Sequence, residues 1–336
     1  MTDGSHIELS RSALRANVRF LERVLGKDTT LCSVIKGNAY GHGIETFVPL
    51  AESCGVRCFA AFSASEAQVA HRVSIRQSRI QIMGYASSEE VEWAVKHGVE
   101  LWVHDPHRLD LALSAARRVG RPAVVHLEVE TGMHRTGLDP AELDGALNQV
   151  VANPGCLLLR GVCTHLAGAE STANHHRIGL QLMAFDKTLA RLAAAGPPPV
   201  ERHVASSAAS LVYDSMHLDL ARIGIAQYGF WPSLEVKMHR MVASQLASPD
   251  RWIDPLRRVI SWKSRVMTLK RVPAGQFIGY GNAHQATRAT TVAVIPVGYA
   301  HGFTRSLSNT GRVLVRGRPA PVVGLVGMNL MSVDVT

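Results

Sequence analysis

The sequence predicts an α/β chain, a (β/α)8 TIM-type barrel followed by a mostly β C-terminal domain. Short apolar runs alternate with helical patterns from Thr30 to Ile225, the mark of βα units around a parallel sheet. Eight such runs occur, the number a closed barrel requires. Beyond Pro255, strand-like segments follow one another without long helices.

A short segment, His6–Leu9, precedes the barrel and is expected to pair within the second domain. Barrel strands are expected at Thr30–Ile35, Cys58–Phe62, Ile80–Met83, Glu100–His104, Ala123–Val129, Leu157–Cys163, Glu201–Ala205 and Asp219–Ile225. Helices are expected between them, among others at Ser87–His97, Asp105–Val119, Pro140–Val151 and His175–Ala195. In the last of these, Leu180, Met183, Leu189 and Leu192 recur near a 3.6-residue period. Gly196-Pro197-Pro198-Pro199 reads as a loop of the barrel, and the stretch from Trp231-Pro232 to Pro255 as irregular. Second-domain strands are expected at Val259–Leu269, Thr290–Pro296, Arg312–Val315, Val322–Val326 and Met331–Val335, punctuated by Pro273-Ala274-Gly275 and Gly317-Arg318-Pro319. The expected domains are residues 8–240 and 241–336, with the N-terminal strand 1–9 joining the latter.

At 336 residues, of which 46% are apolar, the chain has room for two cores. No stretch reaches the roughly 18 apolar residues of a membrane span. Met1 to His6 is polar and lacks the layout of a secretory signal, which favours a cytoplasmic protein. The net charge of +9 is spread over scattered residues rather than a basic run, so nucleic acid is not an expected partner, and neither is a membrane. Five cysteines, Cys32, Cys54, Cys58, Cys156 and Cys163, lack metal-ligand spacing and read as free thiols in a reducing compartment, with no metal expected.

The most telling residue is Lys36, in Ser33-Val34-Ile35-Lys36-Gly37-Asn38-Ala39-Tyr40-Gly41-His42-Gly43. It follows an apolar strand, and the glycine-rich loop after it can bring backbone close to a ligand. An amine at the mouth of a buried strand is expected to lose hydration, which lowers its pKa and suits it to act as nucleophile or base. Other polar residues fall at the C-terminal ends of barrel strands, where such barrels place their chemistry. Arg135 follows the fifth run, His165 ends the sixth, Ser206 and Ser207 follow the seventh, and Arg222 lies in the eighth.

The Lys36 segment, together with Gly279-Tyr280-Gly281, Thr164-His165 and Arg222-Ile223-Gly224-Ile225, resembles the alanine racemases. The resemblance runs from about residue 6 to the end of the chain. It implies pyridoxal 5′-phosphate as cofactor, an amino acid as substrate and a homodimer whose subunits share each active site. It further implies that Lys36 holds the cofactor covalently and acts as one base, with Tyr280 of the partner chain as the second. Tyr40, Ser207, Gly224 and Ile225 match phosphate-holding positions, His165 packs against the cofactor ring, and Arg222 meets its pyridine nitrogen. Arg135, Tyr299 and Met328 match groups on the substrate side. The implied reaction is interconversion of L- and D-alanine. The departures Asn282, His301 and Asn329 leave open a racemase or decarboxylase of another amino acid, and the C-terminal end, which reads as shortened, a non-catalytic cofactor-binding protein; Ser206 stands where the family has a phosphate-side Asn. Glu128 stands where many members carry a carboxylated lysine and is expected to orient Arg135. The chain ends at Thr336 within a strand-like segment, where the family continues through further β structure.

Overall fold

The computed structural model describes residues 4–196, 200–247 and 252–336. Pro197, Pro198 and Pro199 of the expected loop lie outside the described residues. The chain divides into two compact units, Leu9–Val259 and Met1–Glu8 with Ile260–Thr336. The larger unit thus extends past residue 240 to Val259.

The first strand, β1 (Ser5–Leu9), pairs with a later strand described below. The larger unit is built on β2 (Thr30–Val34), β3 (Cys58–Ala61), β4 (Arg79–Ile82), β5 (Glu100–Val103), β6 (Ala123–Glu128), β7 (Leu157–Cys163), β8 (Glu201–His203) and β9 (Leu220–Ile223). These eight strands are parallel and lie in the order β8-β7-β6-β5-β4-β3-β2-β9. Two hydrogen bonds close the ring, from Asp219 N–H to the Arg202 carbonyl (3.1 Å) and from Arg222 N–H to the Ala205 carbonyl (2.9 Å). The expected barrel is therefore present, its strands ending one or two residues sooner than the apolar runs in several cases.

Helices wrap the strands, including Arg11–Leu25, Ile44–Ser53, Ala64–Val73, Ser88–His97, Pro106–Val119, Pro140–Ala152 and His175–Ala195. Their starts are encoded locally. Ser63, Ser87 and Asp139 cap three of them, and Glu66, Glu90 and Glu142 return the hydrogen bond in capping boxes. The main core lies between helices and strands, where Leu14, Val18, Leu21, Phe47, Phe59, Ile82, Leu101 and Leu127 are fully buried. Each such side chain contributes about 1.5–3 kcal/mol by leaving water.

The barrel interior is divided. Cys32, Val34, Cys58, Ala60 and Leu220 form a small apolar cluster on one side. The buried residues Gln81, Trp102, His126 and His203 come from strands on the other side. Among the described residues the cysteines are all free, as expected.

The stretch read as irregular contains a helix, Leu234–Ala247. Its apolar residues Leu234, Met238, Val242 and Leu246 recur every fourth position and are exposed, while Val236 is buried in the main core.

In the smaller unit β1 pairs with β10 (Ile260–Ser264). A three-stranded antiparallel sheet has the order β11-β12-β15, formed by β11 (Thr268–Val272), β12 (Thr290–Ile295) and β15 (Met331–Asp334). A hairpin joins β13 (Arg312–Val315) to β14 (Arg318–Pro321). The single strand expected over Val259–Leu269 is thus two strands in different sheets. The strand expected at Val322–Val326 is reduced to a bridge between Val322 and Val333. Arg316 and Gly317 both take positive φ, 49° and 78°, which makes a tight two-residue turn. Pairing therefore resumes at Arg318, ahead of the apolar run.

Within the larger unit, Asn17 in helix Arg11–Leu25 ties distant segments together. It is fully buried, donates to the carbonyls of Gln227 (3.0 Å) and Arg257 (2.8 Å) and accepts from Arg257 N–H (2.8 Å). Asn17→Ala strands these backbone groups and is expected to cost about 2–4 kcal/mol, read as a fall in the urea midpoint at unchanged slope.

Candidate active site

Lys36 opens the segment after β2. Gly37, Asn38, Ala39 and Tyr40 have φ of 62°, 52°, 55° and 53°, so the chain makes a left-handed helical turn. Each non-glycine residue so placed costs roughly 1–2 kcal/mol. The turn is held by hydrogen bonds from Ala39 N–H to the Ile35 carbonyl (2.7 Å) and from Gly43 N–H to the Asn38 carbonyl (2.9 Å). Asn38 also donates its N–H to Glu66 (3.1 Å) and accepts from Ile44 N–H through Oδ1 (2.9 Å). Tyr40, His42 and Phe47 stack around Tyr228 at centroid distances of 4.9, 4.5 and 4.8 Å. Tyr228 in turn donates to the Val34 carbonyl (2.9 Å). The Lys36 side chain itself is exposed, beside Tyr40, Phe62, Ser63 and Glu66.

The four expected phosphate-holding residues are brought together. Ser207 is buried, and its hydroxyl accepts from the N–H groups of Gly224 (2.9 Å) and Ala226 (3.4 Å). A Cβ added at Gly224 falls 2.5 Å from the Tyr40 hydroxyl oxygen, so only glycine lets that hydroxyl reach the backbone. Ile225 begins the short turn that follows. Ser206, on the other side of this cradle, is bridged to Arg222.

Arg222 is 4% exposed. Its guanidinium donates to the carbonyls of His203 (2.8 Å) and Thr164 (2.8 Å) and to His203 Nδ1 (2.9 Å), and it lies over the Trp102 ring at 5.2 Å. A weaker contact reaches His165 Nδ1 at 3.4 Å. Burial draws the Arg222 pKa below its ordinary value, yet a guanidinium keeps its proton in proteins. Burial, followed by the charges of Arg222, Arg135 and Lys36, lowers the His165 pKa to about 3. His165 is therefore a neutral ring, kept so by burial and by the charges of Arg222, Arg135 and Lys36.

Arg135 follows β6 on an exposed loop shaped by Glu130, whose carboxylate accepts from the N–H groups of Gly132, Met133 (2.8 Å) and His134 (2.8 Å). Glu128 is buried but does not orient Arg135. It accepts from the Thr136 hydroxyl instead (3.1 Å).

Tyr280, Tyr299 and Met328 belong to the smaller unit. Tyr299 N–H donates to the Gly327 carbonyl (3.0 Å) and Ala300 N–H to the Met328 carbonyl (3.0 Å), which seats Tyr299 beside Met328. Asn309 links the Tyr280 turn to the same loop, donating to the Ala283 carbonyl (2.9 Å) and accepting from Gly324 N–H (2.7 Å). Tyr280 is 78% exposed. Of the departures, His301 accepts from Gly298 N–H (3.2 Å) and Asn282 takes a φ of 51°.

Two features escaped the sequence reading. Gln181, in helix His175–Ala195, donates to the His165 carbonyl (3.0 Å) and accepts from Ala167 N–H (2.8 Å), fixing the loop after β7. Behind Arg222 runs a buried polar chain through His203, His126 and Glu100 to Arg79 and Glu201. Its signal is polar residues at alternate strand positions, as in Glu201-Arg202-His203 and His126-Leu127-Glu128.

Comparison with known proteins places the chain in a family. Residues 9–232 match the family model for the alanine racemase N-terminal domain, and residues 259–336 that for the C-terminal domain. Alanine racemase of Symbiobacterium thermophilum is 37% identical over 98% of this chain and 82% of its own length. That of Syntrophobacter fumaroxidans is 36% identical over 99% and 84%. The solved alanine racemase of Streptomyces lavendulae superposes with a TM-score of 0.86 at 31% identity, covering all of this chain and 84% of that one. Alanine racemase of Bartonella henselae, solved with covalently bound pyridoxal phosphate, gives 0.81 at 26% identity, covering 100% and 87%. The chain belongs to the alanine racemase family.

Proposed function

We propose that this protein is a pyridoxal phosphate-dependent racemase that interconverts L- and D-alanine. The observation that carries this reading is the grouping of Lys36, neutral His165 and buried Arg222 beside the Tyr40–Ser207–Gly224 cradle. The residues fit the cofactor. The cradle offers the Tyr40 and Ser207 hydroxyls to a phosphate, the latter set in place by the Gly224 and Ala226 N–H groups, and Lys36 offers an exposed amine to an aldehyde. When bound, pyridoxal phosphate supplies an electron-withdrawing ring that acidifies the α-hydrogen of an attached amino acid.

Each residue then has a defined task. Arg222 meets the pyridine nitrogen with a donor that cannot give up its proton, which weakens the ring as an electron sink and limits side reactions. His165 packs as an uncharged face against the ring. Arg135 holds charge on the substrate side, with Tyr299 and the Met328 backbone lining the approach. Inversion at carbon requires a proton removed from one face and returned to the other. Lys36 Nζ serves one face and the Tyr280 hydroxyl the other. We infer that Tyr280 comes from a second copy of the chain in a homodimer, which its exposure in the smaller unit supports. The absence of a helix long and apolar enough to cross a membrane among the described residues is compatible with a cytoplasmic site of action.

Lys36→Ala is expected to abolish the visible absorbance that the protein gains on adding pyridoxal phosphate. Tyr280→Phe is expected to lower racemisation of alanine by about 10²–10⁴-fold while leaving that absorbance. A chiral assay that finds undiminished turnover in Tyr280→Phe refutes the two-base assignment.

Mixing the two inactive variants tests the shared site. A heterodimer has one site with both Lys36 and Tyr280 intact, so random exchange restores about a quarter of the wild-type rate. No recovery after confirmed subunit exchange contradicts a site built from two chains.

The lowered pKa of His165 has a consequence for stability. The unfolded chain takes up a proton near pH 6.5, whereas folded His165 does so only near 3. The stabilising contribution is complete above about pH 6.5 and is lost as pH falls toward 3. Acid titration of unfolding is expected to show a shallower fall in this window for His165→Gln than for wild type.

A further inference from the structure

We propose that Glu100 and His126 form a positioning relay that holds His203 in one tautomer and thereby fixes Arg222 against the cofactor ring. The proposal rests on the reading of Arg222 given above and extends it to residues that touch neither cofactor nor substrate.

The argument is one of proton parity. Arg222 has only donors, and one of them points at His203 Nδ1 at 2.9 Å. That nitrogen must therefore present its lone pair. Burial, with the charge of Arg222 next, pushes the His203 pKa well below its ordinary value, so the ring carries a single proton, which lies on Nε2. His203 Nε2–H faces His126 Nδ1 at 3.0 Å, which must accept it. The proton of His126 then lies on Nε2, 2.8 Å from a carboxylate oxygen of Glu100. Every step has one permitted direction, running from Arg222 to Glu100.

The far end is fixed as firmly. Arg79 donates two hydrogen bonds to Glu100 (3.0 and 3.1 Å) and two to Glu201 (2.8 and 2.8 Å). Burial favours the neutral acid, but hydrogen bonds from His126 and Arg79 outweigh it and hold the Glu100 pKa at about 2. Arg222 and Arg79 balance Glu100 and Glu201, so the chain buries no net charge when both rings are neutral.

A separate observation shows that the backbone makes room for this chain. Gly161 lies on β7 in register with His126, where the β6–β7 pairing slips after Val125. A Cβ at Gly161 collides with His126 Nδ1, the atom that accepts from His203, and falls 2.9 Å from the Glu201 carbonyl oxygen. A glycine inside a strand weakens it unless something must approach closely. Here the approaching group is the His126 ring.

The test separates a relay from a space-filling role. His126→Phe keeps the ring volume and removes the acceptor for His203. His126→Gln is smaller but retains an acceptor and a donor. The full-length chain is labelled with ring-¹⁵N histidine, and pyridoxal phosphate affinity is measured by equilibrium dialysis. His126→Phe is expected to weaken cofactor affinity by about 10–100-fold, the usual effect of losing an outer partner of a bound group. It is also expected to move the His203 ring-nitrogen signals from a single tautomer to a mixture. His126→Gln is expected to restore most of the affinity and the single tautomer. Gly161→Ala gives a second route, since it displaces the ring without changing its chemistry, and is expected to reproduce the His203 change. The relay is overturned if folded His126→Phe or Gly161→Ala binds cofactor like wild type, or if Phe and Gln cause equal losses. Arg222→Lys is the control on the underlying reading. If it leaves cofactor affinity and absorbance unchanged, Arg222 does not meet the cofactor; if it alters them while the His126 variants do not, only the relay fails.

Discussion

A guanidinium inside a barrel must be met by acceptors, and Arg222 sets that requirement for much of the larger unit. The carbonyls of Thr164 and His203 turn toward it, and so does the His203 ring. Satisfying that ring requires a second histidine, then a carboxylate, then the Arg79–Glu201 pair. Barrels of this class usually fill their interior with branched apolar layers. Here only the side lined by Cys32, Val34, Cys58, Ala60 and Leu220 does so. A buried charge left unpartnered costs several kcal/mol, so the polar half of the interior is the consequence of placing a cation at its mouth.

The phosphate cradle and the lysine turn obey a related rule, precision through close contact. Tyr40 belongs to both. Its backbone takes part in the left-handed turn, its ring leans on Tyr228 and its hydroxyl approaches Gly224. Displacing any one of these shifts the others, which is how a rigid scaffold preorganises a site. Two exposed residues sit on loops that are held differently: the Glu130 carboxylate shapes the loop of Arg135, and the Asn309 side chain braces the turn of Tyr280.

Much of the barrel was legible because strands buried on both faces read as unbroken apolar runs, as in Cys58–Ala61 and residues 101–103. The residues proposed for the cofactor side fall at successive strand ends, where the barrel orders them, and the motif resemblance supplies their proposed roles. The interior relay was not. Glu100, Glu201 and His203 alternate with their neighbours in the way that solvent-facing residues do, and only closure of the ring turns that face inward. The helix Leu234–Ala247 was missed, and the smaller unit's strands were misplaced where a tight turn at Arg316-Gly317 outranked an apolar run. Exposure of Lys36 and the partner of Glu128 depend on loop paths that no local pattern encodes.

The left-handed turn at Gly37–Tyr40 changes what the identity of its residues means. Asn38 and Ala39 are set by handedness as much as by chemistry, since side chains branched at Cβ are the least able to adopt positive φ. Valine, isoleucine or threonine at either position therefore disarms the lysine from a distance, by straightening the backbone that aims it. The amine proposed as a base two residues away is in this sense guarded by a chirality filter, and tolerance to substitution along the segment reports backbone geometry before it reports reactivity.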